Sequence, residues 1–114
     1  VRLAIEKYLN KNPTEKIEDV KIVCYGLSFK AGIDDLRESP ALEIACRLSK
    51  IYPRQVFAVE PNVDELPKKA EDVRKIGLED AYSIGNIHVL LVDHKEFLPS
   101  APKNGIVIDT KGIW

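Results

Sequence analysis

Residues 20–49, VKIVCYGLSFKAGIDDLRESPALEIACRLS, decide the fold. Val20, Ile22, Val23, Cys24 and Tyr25 form a short apolar run, largely β-branched, which suits a strand covered on both faces. Gly26 ends it, and from Leu27 to Glu38 the chain is dense in charge: Lys30, Asp34, Asp35, Arg37, Glu38. Ser39 then offers an N-cap and Pro40 a first helical residue. A helix over about 38–51 places Ala41, Ile44, Ala45, Leu48 and Ile51 on one stripe, with Glu43, Arg47 and Lys50 mostly away from it. In open α/β sheets, ligands bind beyond the carboxyl ends of the strands, where a loop of this kind lies. The loop after Gly26 is the leading site candidate.

The flanking sequence repeats the strand–helix rhythm. Val1 to Asn10 carries Leu3, Ile5 and Leu9 in a weakly amphipathic helix, ended by Asn12-Pro13, and Thr14 to Asp19 is a polar connection. The first strand covers about 20–26. Val56 to Val59 is a second strand, closed by the turn Glu60-Pro61-Asn62. Leu66, Ala70, Val73 and Ile76 space a thin apolar stripe through 63–77, which predicts a surface helix, and Leu78 to Ile84 predicts another short one. Ile87 to Val92 is the clearest strand, followed by Asp93-His94. Phe97 and Leu98 are expected to pack back on the core. Ile106 to Ile108 is a fourth strand, running into Asp109-Thr110-Lys111-Gly112.

Strands alternating with helices predict an α/β fold, a Rossmann-like three-layer sandwich with a mostly parallel sheet. In such a sheet the polar residues that close the strands share one edge. Gly26 to Lys30, Asp93-His94 and Asp109 to Lys111 are thereby brought together from distant parts of the chain. No internal repeat or low-complexity tract is present.

At 114 residues and 45% hydrophobic, the chain has the size of one domain with a real core. A net charge of −1 gives no reason to expect nucleic acid or an anionic membrane as partner. No apolar run approaches the roughly 18 residues that span a bilayer, and no secretory signal pattern is present. Cys24 and Cys46 read as buried free thiols, which fits a reducing cytoplasm. Two His and two Cys without ligand spacing argue against structural zinc. The chain has no methionine and opens on Val1 within a helical pattern, so a piece of a longer protein is expected.

The run Gly26-Leu27-Ser28-Phe29-Lys30-Ala31-Gly32 lacks G-x-G-x-x-G, and no P-loop is present. Lys30 and Arg37 flank a helix start, which favours anions, and Arg offers phosphate a planar fork. A phosphate-bearing ligand is one reading; pairing of Arg37 with Asp34, Asp35 or Glu38 on the surface is the other. Asp34-Asp35 can bind Mg²⁺ in principle, but capping or orienting an arginine is the preferred role. Asp93-His94 resembles an acid–base pair, yet neighbours at a strand end point apart, which favours a loop-fixing role. His88 alternates within a core strand as a satisfied histidine. Neither cysteine is set up as a nucleophile. Glu60 stands where a ribose-binding acid would stand in a dinucleotide fold, a doubtful role without the glycines.

Gly26-Leu27-Ser28-Phe29-Lys30 and Asp34-Asp35-Leu36-Arg37-Glu38-Ser39-Pro40-Ala41 closely resemble the signature that opens the C-terminal, UDP-binding domain of the UDP-glucose/GDP-mannose dehydrogenase family. Val59-Glu60-Pro61-Asn62, Leu91-Val92-Asp93-His94-Lys95-Glu96-Phe97 and Val107-Ile108-Asp109-Thr110-Lys111-Gly112-Ile113-Trp114 agree with it. The Val-Asp-His and Asp-Thr-Lys-Gly-Ile-Trp forms look most like members that act on UDP-N-acetyl-D-mannosamine; those acting on UDP-glucose more often carry Glu-Trp at 93–94.

The resemblance implies one domain of a cytoplasmic, NAD-dependent UDP-sugar 6-dehydrogenase of surface-polysaccharide synthesis. Residues 1–19 are then the end of a connecting helix and linker, and 20–114 the UDP-sugar-binding domain. Phe29 and Lys30 match nucleotide-sugar contacts. Arg37 matches a residue that reaches the NAD held by the N-terminal domain. Lys111 falls where the family usually has a substrate-contacting Arg; it keeps the charge and loses the fork. No catalytic residue and no metal ligand is expected here, because the family's nucleophilic Cys and NAD loop belong to other parts. The expected partners are a UDP-sugar, the N-terminal and central domains of the same chain, and a second copy in a homodimer. The isolated piece is expected to be inactive. The alternatives are a UDP-glucose 6-dehydrogenase domain and a stand-alone Rossmann-like nucleotide-binding module; a receiver-type signalling domain lacks the acidic pair at the first strand.

Overall fold

A computed structural model describes residues 1–28, 36–37, 39–99 and 101–114. Five strands, β1 (Ile22–Tyr25), β2 (Val56–Val59), β3 (Arg74–Lys75), β4 (Ile87–Leu90) and β5 (Ile106–Asp109), form one sheet in the order β3-β2-β1-β4-β5. Every pairing is parallel, and β1 is central, with Cys24 in register with Ala58 on β2 and Val89 on β4. The strand order reverses between β1 and β4, the switch point of a doubly wound sheet.

Two-residue alternation separates the two faces. Ile22, Cys24, Val56, Ala58, Ile87 and Val89 join Ile5 of α1 (Arg2–Lys11) and Ala41, Leu42 and Ala45 of α2 (Pro40–Ile51) in one core. Val23, Tyr25, Phe57, Val59 and Leu90 face Ala81 of α3 (Leu78–Ile84) and Phe97 on the other side. The expected three-layer α/β sandwich is present, with all of its sheet parallel.

The start of α2 follows the sequence closely. Ser39 is its N-cap, with Pro40 in the first turn, and the Ser39 hydroxyl accepts from the Leu42 amide at 3.3 Å. The buried stripe is rotated from the expected one. Ala41, Leu42, Ala45, Cys46, Leu48 and Ser49 face inward, whereas Ile44 and Ile51 are exposed. The rotation arises because α2 meets the 68–70 turn as well as the sheet, with the Cys46 thiol 3.6 Å from the Lys69 carbonyl oxygen.

The helix expected over 63–77 does not form. Pro67 disfavours helical backbone at Leu66, and the segment instead makes one 3₁₀ turn, Lys68–Ala70, and the edge strand β3. Ala70 and Val73 are still buried, so the apolar spacing serves a packed loop. Phe97 is fully buried as expected, but Leu98 is exposed.

Candidate functional site

The carboxyl ends of β1, β2, β4 and β5 form the edge on which the candidate residues were expected. β1 and β4 are drawn together there. The Tyr25 carbonyl accepts from the amides of Leu91 and Val92, and Gly26 has φ +91° while donating its N–H to the Val59 carbonyl at 2.8 Å. A side chain at Gly26 would strike Val92, so only glycine allows this approach.

Glu60, the first residue beyond β2, is buried at this junction. Its Oε1 accepts from the amides of Leu27 and Ser28 and from His94 Nε2, each at 2.9 Å, and its Oε2 accepts from the Asn62 amide at 2.9 Å. Ser28 Oγ lies 3.1 Å from the same His94 nitrogen, and Asn62 Nδ2 donates to His94 Nδ1 at 3.2 Å. Burial by itself would raise the Glu60 carboxyl, but the hydrogen bond from His94 and the amides of Asn62 and Leu27 outweigh it and hold the pKa at about 2. Glu60 is thus already committed to internal donors and is not placed to bind a ribose. Asp93 is exposed while His94 is fully buried, so the pair points apart and His94 fixes the loop.

The segment that leaves β1 is tied at both ends. Leu27 donates its amide to Glu60 and accepts at its carbonyl, at 2.6 Å, from the Ser39 hydroxyl. Phe29, Lys30, Asp34, Asp35 and Glu38 lie outside the described residues. Arg37 is exposed, two positions before the N-cap of α2.

At the end of β5, the Asp109 carboxylate accepts from the amides of Lys111, Gly112 and Trp114 at 2.7–2.8 Å. The Trp114 amide is the main cause that lowers its pKa. Trp114 Nε1 donates to the Phe97 carbonyl, and its ring stands edge-on to Tyr25 at 5.0 Å. Lys111 is therefore presented to solvent from a turn pinned beneath it.

On the same face of the sheet as Trp114, the Tyr25 hydroxyl lies 2.7 Å from His88 Nδ1. His88 Nε2 has no hydrogen-bond partner among the described residues, so this histidine is only half satisfied. The Asn104 and Gly85 backbones lie near the ring without a well-formed bond to that atom, and burial lowers its pKa. Cys24 and Cys46 are free and buried. Among the described residues, no group of three or more His, Cys, Asp or Glu side chains can hold a metal ion. Among them, too, no helix is long and apolar enough to cross a membrane.

A doubly wound parallel sheet with an exposed lysine and arginine near its carboxyl edge, and with no glycine fingerprint after β1, defines a Rossmann-like α/β domain of a divergent kind. The family model described as "UDP-glucose/GDP-mannose dehydrogenase family, UDP binding domain" matches residues 23–114, and the chain belongs to that family. It is 42% identical over 104 residues to UDP-N-acetyl-D-mannosamine dehydrogenase of Salmonella typhi, covering 88% of this chain and 25% of that protein. It is also 42% identical over 107 residues to NDP-N-acetyl-D-galactosaminuronic acid dehydrogenase of Ralstonia solanacearum, covering 91% of this chain and 25% of that protein. The chain therefore spans about a quarter of the length of these relatives. Among solved structures it superposes on UDP-D-ManNAc dehydrogenase from Pyrococcus horikoshii with a TM-score of 0.68 at 24% identity, covering 97% of this chain and 26% of that one. The UDP-N-acetyl-mannosamine dehydrogenase of S. aureus gives a TM-score of 0.65 at 25% identity, covering 98% and 27%.

Proposed function

We propose that this chain is the nucleotide-sugar-binding domain of an NAD-dependent UDP-sugar 6-dehydrogenase that converts UDP-N-acetyl-D-mannosamine to the uronate. The 42% identity to a dehydrogenase of that name over 88% of this chain carries the reading. The relative named for an N-acetylgalactosaminuronic acid also points to an acetamido sugar rather than glucose.

In this reading Lys30 and Lys111 neutralise the diphosphate, and Phe29 contacts the nucleotide. Lys111, exposed on the turn after β5, offers a diphosphate a mobile point charge. Arg37 extends toward NAD held by another domain of the same protein. This chain does not fit the dinucleotide itself, because the glycine fingerprint is lacking and Glu60 is buried and fully engaged. NAD supplies hydride acceptance at sugar C6; the residues here bind and orient the nucleotide end. The domain division at about residue 19, a homodimeric assembly and a cytoplasmic site belong to the same proposal.

The test is NAD reduction by the complete gene product with UDP-N-acetyl-D-mannosamine, UDP-N-acetyl-D-galactosamine and UDP-glucose, beside the 114-residue chain alone. The proposal expects turnover of the mannosamine sugar first and none by the chain alone. Turnover by the chain alone, or of UDP-glucose only, contradicts it.

A further inference from the structure

α1 is 10 residues long, and a helix of that length is marginal alone in water, so it owes its shape to the surface it packs on. Ile5 is 2% exposed and lies in one core with Ile22 of β1 and Ile87 of β4, while Ala4, Tyr8 and Leu9 pack against the same core. Polar bonds close on the helix as well. Asn86, which precedes β4, donates Nδ2 to the Tyr8 hydroxyl at 3.0 Å and accepts the Lys21 amide at Oδ1 at 2.8 Å. Its backbone N–H donates to the Lys21 carbonyl and its own carbonyl accepts from the Ile106 amide, each at 2.9 Å. One side chain and its backbone thus join α1 to the starts of β1, β4 and β5.

The segment 12–21 has the polar sequence of a loose connection, and 13–19 is exposed. Its backbone is nonetheless tied. The Asn12 amide donates to the Tyr8 and Leu9 carbonyls, the Glu15 amide to the Asn12 carbonyl, and the Asp19 and Val20 amides to the Lys16 and Ile17 carbonyls. From the start of β2 the buried Gln55 donates Nε2 to the Ile17 and Val20 carbonyls, at 2.6 and 2.9 Å. A hinge needs a few residues free to absorb changes in φ and ψ, and this stretch is held at both ends and at each turn between them.

We infer that α1 and the segment 12–21 form one rigid body with the sheet, so that motion of this domain against the rest of a longer protein takes place ahead of α1. The inference rests on the reading above that the chain is one domain of a longer enzyme. The division at about residue 19 is then a division of sequence and not of motion. A displacement of the preceding part of the chain is passed through Asn86 and Gln55 to the amino ends of the strands, instead of being lost in a loose joint.

Hydrogen exchange of the complete gene product tests it, read by mass spectrometry on peptides from 2–11, 12–21 and the strands, for wild type, Ile5→Ala and Asn86→Ala. In wild type the amides of α1 and those of Asn12, Asp19 and Val20 should exchange at least about 100-fold more slowly than in an unstructured chain, the mark of a docked element. Ile5→Ala should speed exchange in β1 and β4 as well as in α1, by at least about tenfold, because a cavity at Ile5 weakens the core they share. Asn86→Ala, which removes only the side-chain bonds to Tyr8 and Lys21, should act on the same three elements by about tenfold, and it decides if Ile5→Ala does not fold. Exchange of 2–21 at the unstructured rate in a protein whose strands are protected overturns the inference. So does acceleration confined to α1 in the variants, since the helix then opens by itself. A protein that shows the expected exchange but reduces no NAD with any of the three sugars keeps the rigid body and overturns the functional reading alone.

Discussion

A Cβ built on Gly26 would stand 2.5 Å from Val92 Cβ and 3.0 Å from the Val92 backbone nitrogen and oxygen. The ends of β1 and β4 therefore meet at the switch point with no room for a side chain. Gly26→Ala combines a left-handed φ of +91° with this overlap, and a loss of about 2–5 kcal/mol is expected from the sum of the two penalties. Urea unfolding of the variant measures it. A loss below about 0.5 kcal/mol, the scale of a neutral surface change, contradicts the packing described.

Acid should act through Glu60. Its folded pKa of about 2 lies below the usual 4.5. The stabilisation is thus complete above pH 4.5 and is lost as pH falls toward 2, because the unfolded chain takes up the proton first. The span corresponds to a few kcal/mol, and Asp109, depressed mainly by the Trp114 amide, adds a smaller effect of the same sign. Urea unfolding at pH 7 and pH 3 should show a much steeper fall for wild type than for Glu60→Gln. Equal pH dependence of the two proteins contradicts the network.

The thiols should be inert. Burial first, and the neighbouring Cys46 second, push Cys24 up to about 12, and burial also raises Cys46. A thiol reagent at neutral pH is expected to label Cys24 only as fast as the protein unfolds. Labelling of Cys24 in the native state at the rate of a free thiol contradicts its enclosure.

Lys111 tests the edge from the β5 side. Lys111→Ala should weaken UDP binding by about tenfold, the scale of one charge-assisted contact, with a smaller salt dependence and an unchanged melting temperature. Lys111→Arg should retain binding. Unchanged affinity in Lys111→Ala removes this residue from the site.

The strands that a run of apolar residues marks were legible: those expected at about 20–26, 56–59, 87–92 and 106–108 form as Ile22–Tyr25, Val56–Val59, Ile87–Leu90 and Ile106–Asp109, with ends differing by one or two residues. So was the helix start at Ser39-Pro40, because capping is local chemistry. β3 was not legible, since Arg74 and Lys75 join the sheet through backbone groups alone and their exposed charges carry no strand signal. Such charges also protect an open edge. The 63–77 segment carried a true helical spacing that Pro67 overrides.

At the edge, His94 was legible as a loop-fixing residue, but its partner was not. Glu60 and His94 are 34 positions apart, and only the strand order shows that β2 and β4 both flank β1 and deliver them to the same place. The available signal was that each is among the first polar residues beyond a buried strand. The half-satisfied His88 was invisible, because its Tyr25 partner sits on another strand.

Binding of a uridine diphosphate at the carboxyl edge of this sheet is the proposal on which the others depend. An amide ¹H–¹⁵N correlation titration of the 114-residue chain with UDP, and separately with NAD, decides it. Shifts confined to about 27–38 and 109–112 are expected with UDP, and weak or absent shifts with NAD. No shift with UDP up to millimolar concentration, or shifts that fall away from the carboxyl edge, would contradict it.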